Sequence, residues 1–419
     1  MAFLEAYIDY TSSFRKRKRC LMKRRTLLII SGVILVCILL VALVGVDLLS
    51  EEKQNQQPNV LVGVDVAFGN ESDVYRVADA VQGYANLIVI GSLTVTSNTT
   101  TLTRVCNYLY QRGFSFIIYL EYGPVMPEGP DAQFFNTTVK QWGNKFLGAY
   151  IFDEPGGKQL DYTPSSPDYI DKPVKQASNY SDAAQQYVDD LYNFAINYAG
   201  PTYYDTPNLK VFTSDYGLYW FDYLAGYNTV LAEFVGNSSR QIAVSLCRGA
   251  ANVQHADWGI IITWKYDQAP FIEEPAQLYQ DMVYAYESDA KYIVIFDSSG
   301  DQTPTTNLGI LTFQHLDAMK QFWNYAVSHP RVDEDPAEVA YVLPADYGYG
   351  FGGNNDTIWG LFPADALSPI IWNETNNLIA QYGTNLDIVY ESLTDGLQTR
   401  LIYQELVYWN GTIIGHLDS

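Results

Sequence analysis

Phe146-Leu147-Gly148-Ala149-Tyr150-Ile151-Phe152 is an apolar run that stops on Asp153-Glu154-Pro155. Its length suits a buried strand. Charged side chains at a strand end are costly unless they are solvated, paired or used. Working outward, the same kind of unit recurs on both sides. Apolar runs at Val60–Val66, Leu87–Ile90 and Phe114–Leu120 precede it, and Lys210–Thr213, Thr229–Phe234, Trp258–Thr263 and Tyr292–Phe296 follow. Between them lie helical periods. Val74, Val77, Ala78 and Val81 mark the first, and Leu102–Tyr110 and Ala132–Trp142 carry the next two. Ala184 to Ala195, Leu218–Leu224, Arg240–Ala250, Leu278 to Ala285 behind Glu273-Glu274-Pro275, and Phe313–Val327 carry the rest. Eight strands alternating with helices predict a (β/α)8 barrel over residues 59–328. No Gly-rich turn follows the first strand, as an open doubly wound sheet would normally show. Residues 156–180, rich in Pro, Gly and polar types, read as a long loop.

Residues 329–419 read as a small α/β domain behind the polar break from His329 to Pro336. Its elements are a strand at Val339–Leu343, a helix at Leu367–Ala380 and a strand at Leu386–Tyr390. Leu401–Tyr408 and Thr412–Ile414 flank Trp409-Asn410-Gly411 as a hairpin. The stretch Gly348-Tyr349-Gly350-Phe351-Gly352-Gly353 has the look of a phosphate cradle. The next helix begins too far downstream to aim its N-terminus at a phosphate, so this stretch reads as a flexible loop.

The N-terminus sets a topology. Residues 1–25 form a basic tail holding Arg15-Lys16-Arg17-Lys18-Arg19 and Lys23-Arg24-Arg25, and Leu27 to Val46 carries no charge. About 20 such residues span a bilayer, and positive charge stays on the cytoplasmic side. Residues 26–49 are therefore expected to be a single-pass signal anchor, residues 50–58 a stalk, and everything beyond extracellular. A cleaved signal peptide is the competing reading. It is disfavoured by the length of the apolar core and by the lack of a small-x-small site before Asp47.

Composition agrees with an exported body. The chain has 419 residues, 48% apolar and only 17% charged, which argues against wholesale disorder. After residue 50, 17 Lys and Arg face 44 Asp and Glu, so a nucleic-acid partner is not expected. Asn70, Asn98, Asn136, Asn179, Asn237, Asn355, Asn373 and Asn410 each begin an Asn-x-Ser/Thr sequon and are candidate glycosylation sites. Cys20 and Cys37 lie in the tail and the anchor. Cys106 and Cys247 fall on different sides of the barrel and are expected to be free buried thiols. The four His are scattered without zinc-ligand spacing, so neither a metal nor another cofactor is expected.

Acids end most of the strands: Asp65, Glu121, Asp153, Glu154, Asp215, Glu233, Asp267 and Asp297. In a parallel barrel the C-terminal strand ends carry the working groups. Glu154 precedes a proline, which favours an extended backbone. Glu233 interrupts an apolar strand, so it is either used or paired with Lys265. Glycoside hydrolysis needs two carboxyl groups across the bond, one of them protonated, and crowding with burial raises carboxyl pKa values. Tyr122, Tyr216, Tyr219, Trp220, Trp264 and Tyr266 offer aromatic surface near the strand mouths. Glu154, Glu233 and Asp153 are thus the candidate catalytic residues. Asp65, Glu121, Tyr122, Asp215, Tyr216, Trp264, Lys265, Tyr266 and Asp297 are the candidate substrate contacts.

With Tyr150-Ile151-Phe152-Asp153-Glu154-Pro155 at its fourth strand, the barrel resembles the TIM-barrel glycoside hydrolases, many of which end that strand in Asn-Glu-Pro or Asp-Glu-Pro. The resemblance covers residues 59–328 and implies that Glu154 is the acid/base. Where the large retaining clan carries a nucleophilic Glu on strand 7, this chain reads Ile262-Thr263-Trp264-Lys265-Tyr266, so Glu233 of strand 6 stands in as the partner. Two readings follow. One is a membrane-anchored extracellular hydrolase acting on a glycan or polysaccharide. The other is a non-catalytic carbohydrate-binding or surface-structural protein on the same barrel.

Overall fold

The computed structural model describes residues 57–120, 130–194, 209–300, 303–331, 337–392 and 396–415. The basic tail, the anchor and all but the end of the stalk lie outside these residues, as do Glu121 and Tyr122. Among the described residues no helix is long and apolar enough to cross a membrane.

Eight parallel strands close into a barrel: β1 (Leu61–Asp65), β2 (Leu87–Ile90), β3 (Ser115–Leu120), β4 (Phe146–Ile151), β5 (Val211–Asp215), β6 (Thr229–Phe234), β7 (Asp257–Ile262) and β8 (Tyr292–Phe296). Closure is the pairing of β1 with β8, Leu61 lying opposite Tyr292. Side chains alternate across each strand, and the two parities pack into separate cores. Leu87, Val89, Ile117, Phe212, Leu231 and Val294 belong to an inner cluster made of strand residues alone. Their neighbours Ile88, Ile90, Val211, Val230 and Ile295 pack outward with helix residues such as Val77, Leu102 and Met319. This is the filled lumen and helical jacket of a (β/α)8 barrel. In β4, Gly148 (φ 153°) accompanies a register shift against β3. A Cβ there would stand 2.3 Å from the Lys210 carbonyl oxygen.

The jacket helices begin where the sequence offers caps. Asn70 opens α1 (Glu71–Val81), Asn98 opens α2 (Thr99–Gln111), Asn179 opens a helix over Tyr180–Leu191, and Ser239 opens one over Arg240–Val253. Each side chain accepts a first-turn backbone N–H, an interaction of about 1 kcal/mol. Three sequon asparagines, Asn70, Asn98 and Asn179, are thus also helix caps. Their Oδ1 does the capping, and Nδ2 is the atom that glycosylation uses. Cys106 and Cys247 are free and buried.

Three expectations give way to tertiary structure. The region 132–142 forms one short helix, α3 (Ala132–Asn136), followed by a tighter 3-10 stretch, Thr138–Lys145, kinked at Gly143. The region read as a loop after β4 opens with a helix, α4 (Pro155–Asp161), and includes a 3-10 turn at Tyr169–Asp171. The segment from Leu401 begins inside a helix, Gly396–Ile402, and only Glu405–Tyr408 is strand.

The C-terminal module is a four-stranded mixed sheet. Its strands are β9 (Val339–Leu343), β10 (Leu386–Tyr390), β11 (Glu405–Tyr408) and β12 (Ile413–Gly415), in the order β10-β9-β11-β12. The glycine-rich segment is held, not loose. Trp359 donates its backbone N–H to the Gly348 carbonyl at 2.6 Å. Asp356 accepts backbone N–H groups from Gly352 and Thr357, each at 2.8 Å. The module is tied to the barrel by a buried ion pair, Arg248 Nε to Asp387 Oδ1 at 2.8 Å. Gln159 of α4 donates to the Trp359 carbonyl at 2.7 Å, and Lys172 donates to that of Gly360 at 3.1 Å.

Candidate active site

Strand parity decides which acids face the barrel mouth. Continuing the inner set two residues onward places Asp65 beyond Gly63, Ser214 beyond Phe212, Glu233 beyond Leu231 and Thr263 beyond Ile261. All four line a cleft of about 440 Å³ at the C-terminal strand ends, together with Asp153, Glu154 and Trp264. Asp215 and Asp297 have the opposite parity and serve the scaffold. Asp215 Oδ2 accepts from Gly156 N at 2.5 Å, and its Oδ1 accepts from Gly157 N and Tyr216 N at 2.8 Å. Asp297 Oδ1 accepts from Ile310 N at 2.6 Å and Leu311 N at 3.2 Å. Burial raises both carboxyls to about 7, against the lowering effect of those N–H groups.

Asp215 also explains the backbone at the strand-4 tripeptide. Glu154 is left-handed (φ 51°, ψ 49°), not extended, and Phe152 also has positive φ. Proline disfavours the right-handed well for the preceding residue. The remaining choice is fixed by tertiary hydrogen bonds. Glu154 N donates to the Ser214 carbonyl at 3.0 Å, and Asp215 grips the next two N–H groups. Gly157 lets Tyr216 lie against α4, where a Cβ would stand 2.1 Å from the ring. A non-glycine residue at positive φ costs on the order of 1–3 kcal/mol and persists where its surroundings over-determine it.

Asp153, Glu233, Ser214 and Tyr150 form one hydrogen-bonded group at the floor of the cleft. Glu154 and Glu233 line the same cleft, and each carboxyl acts on the other's protonation. Ser214 Oγ lies 2.5 Å from Glu233 Oε1 and 3.1 Å from Asp153 Oδ1. The Tyr150 hydroxyl reaches Ser214 Oγ at 2.7 Å and also donates to Asp153. Burial, then the Asp153 charge, raises Glu154 to about 7. Burial, then the Glu154 and Asp153 charges, pushes Glu233 well above the carboxylate range. Burial and mutual repulsion disfavour ionising both, so the two titrate as a pair that keeps a proton near neutral pH, which Glu154 can hold while Glu233 is ionised. Asp65 is also buried and raised, first by burial and then by Asp153 and Asp297. Its Oδ1 has no hydrogen-bond partner among the described residues.

Lys265 is not the partner of Glu233. Among the described residues no ion pair joins them, and the Lys265 charge acts on Glu273. Lys265 and the exposed Tyr266 sit on a turn outside the cleft, since Lys265 N and Tyr266 N both bond back to the Phe271 carbonyl. Trp264 stays at the cleft, its Nε1–H donating to the Ser298 carbonyl at 2.7 Å. Tyr216 lies in a second cleft, considered below, while Tyr219 and Trp220 are buried in the core. The groups that sequence reasoning missed are Ser214 and Tyr150. The two-residue period from Phe212 was the available signal for Ser214. Among the described residues no cluster of His, Cys, Asp and Glu is arranged to hold a metal ion.

No protein-family model matches this chain, and no curated protein matches it. Solved structures do. A GH5_18 protein from Streptomyces cattleya, in complex with Manb1-4GlcNAc, is similar at TM-score 0.49 and 13% identity, over 84% of this chain and 99% of that one. A β-galactosidase from the haloarchaeon Halorubrum lacusprofundi is similar at TM-score 0.45 and 12% identity, over 83% and 69%. An exo-β-1,4-mannosidase from Opitutaceae bacterium strain TAV5 is similar at TM-score 0.44 and 11% identity, over 79% and 69%. At such scores and identities the likeness carries no residue's role across.

Proposed function

We propose that this chain is a glycan-directed hydrolase that works with retention of anomeric configuration, Glu233 being the nucleophile and Glu154 the acid/base. The observation that carries this is that both carboxyls line one cleft at the C-terminal strand ends, near enough for the Glu154 charge to raise Glu233. Retaining pairs stand about 5–5.5 Å apart, and inverting pairs about 6.5–9.5 Å apart to admit a water. We assign this pair to the shorter class, and the anomer first released, read by NMR, tests that assignment. In the first step the Glu233 carboxylate bonds to the anomeric carbon. The glycosidic C–O bond breaks, and its oxygen leaves with the proton of Glu154. In the second step Glu154 takes a proton from water, whose oxygen displaces Glu233. Ser214 holds the Glu233 carboxylate in place, and Asp153 keeps the negative field that favours a proton on the pair. Asp65, buried with a raised pKa, offers a hydrogen bond to a sugar hydroxyl.

One observation favours a second reading, carbohydrate binding without turnover: Thr263 and Trp264 stand where a strand-7 nucleophile is common. Glu154→Gln and Glu233→Gln separate the two. Glu154→Gln should lose on the order of 10²–10⁴-fold in turnover of unactivated glycosides, and less on aryl glycosides with good leaving groups. Glu233→Gln should lose rate on both. Wild-type rates for Glu154→Gln on unactivated sugars would end the assignment. Absence of turnover by the wild type on a broad glycoside panel, with binding intact, would establish the second reading.

We also propose that Leu27–Val46 anchors the chain, with the barrel outside and a surface or environmental glycan as substrate. The uncharged span and its basic flank support this. Full-length protein with an intact N-terminus should partition into detergent, and its recovery in a detergent-free soluble fraction would refute the anchor.

A further inference from the structure

We infer that the C-terminal module completes a second sugar subsite, so that the chain engages a glycan of two or more residues and not a lone terminal sugar. This deepens the glycan reading above and rests on it. A second cleft of about 470 Å³ lies between barrel and module. Its barrel wall includes Asp161, Tyr216 and Ser238, and its module wall includes Gly350, Phe351 and Trp372. Glu233 and Val235 line both this cleft and the first one. A chain whose reacting bond lies at Glu233 therefore has room to continue toward the module. Each volume lies within the range of small-molecule sites, about 300–1,000 Å³.

The module wall is built to stay where it is. Asp356 holds Gly352 N at 2.8 Å, and Trp359 holds the Gly348 carbonyl. At Gly350 a Cβ would come within 2.6 Å of the Asp356 carboxylate, so glycine keeps that wall low. The lining has the two kinds of surface a sugar ring presents in return. The half-buried Trp372, beside the edge of the buried Phe351, gives aromatic area for C–H faces. Asp161, whose Oδ2 accepts from the Tyr216 hydroxyl at 2.9 Å, and the exposed Ser238 give polar groups for hydroxyl edges.

The test uses the full-length chain in detergent after enzymatic trimming of any N-linked sugars. Two probes are applied: paired 4-nitrophenyl mono- and diglycosides of neutral hexoses, and an array of unmodified neutral oligosaccharides. The wild type should prefer diglycosides in kcat/KM. That preference should fall about tenfold in Trp372→Ala, which removes aromatic surface, and in Ser238→Trp, which fills the cleft. Ser238 is exposed, so its variant keeps the test valid if Trp372→Ala does not fold. Turnover with no length preference, or with a preference that neither variant alters, overturns the subsite while the hydrolase reading stands. No turnover, but array binding that grows with length and is lost in Ser238→Trp, keeps the subsite and removes the hydrolase. Neither turnover nor array binding overturns both.

Discussion

Replacing Arg248 by Met should cost about 3–5 kcal/mol, because it leaves a buried carboxylate without its counter-charge. The Arg248 side chain is 6% exposed and that of Asp387 is not exposed at all. Nε holds Asp387 Oδ1 at 2.8 Å, and an Nη–H of the same guanidinium donates to the Thr384 carbonyl at 2.5 Å. The other carboxylate oxygen takes the Tyr403 hydroxyl at 2.8 Å and Asn252 Nδ2 at 3.1 Å. The double variant Arg248→Met, Asp387→Leu removes the charge together with the cost of burying it. It should recover roughly half of the loss or more; the buried Tyr403 hydroxyl loses its carboxylate partner, at about 1–3 kcal/mol, while the exposed Thr384 is solvated. Urea unfolding read by tryptophan fluorescence measures all of the variants. Hydrogen exchange of β9 and β10 reports whether the module loosens before the barrel. A loss below about 1 kcal/mol in Arg248→Met would mean that the pair behaves like a surface salt bridge. Losses that simply add in the double variant would mean that the two side chains are not coupled. Either result would refute the view that this contact docks the module.

The pH dependence of the two functions should differ. Turnover needs the proton that the Glu154–Glu233 pair shares, so kcat/KM should fall as pH rises through about 7, where Glu154 loses it; a rate that stays flat to pH 9 would remove Glu154 from the acid role. For stability Asp297 is one contributor, raised from an ordinary 3.8 to about 7 by burial. Between these values the folded chain keeps a proton that the unfolded chain has released, so stability falls as pH rises through that window, by up to about 4 kcal/mol from this one group. Asp297→Asn should remove that part of the slope, so the variant gains on the wild type from pH 4 to 7 in chemical denaturation, and an unchanged difference would refute the assignment.

The barrel was legible because buried parallel strands read as apolar runs and their helices keep a 3.6-residue period. Strand 4 and its acids stood out for the same reason. The ring of acids was less legible, because being at a strand end was read without strand parity. Asp215 and Asp297 end their strands facing outward and became brackets for backbone N–H groups. Helix α4 was hidden by Gly156 and Gly157, whose helix propensity is poor. The Asp215 carboxylate and the packing of Tyr216 hold it, and both come from another strand. The segment from Gly348 to Gly353 read as flexible because its restraints, Asp356 and Trp359, act through folded contacts that composition does not show.

The lining of the two clefts also sets what they turn away. Among the described residues, Asp65, Asp153, Glu154, Glu233, Asp161 and Asp356 line them, and no Lys, Arg or His does. The chain as a whole carries a net charge of −22. A uronate, sulfate or sialic acid carboxylate entering here meets charge of its own sign in a partly desolvated site, where salt screens poorly. On the glycan reading proposed above, this lining disfavours acidic glycans at the entrance and favours neutral ones.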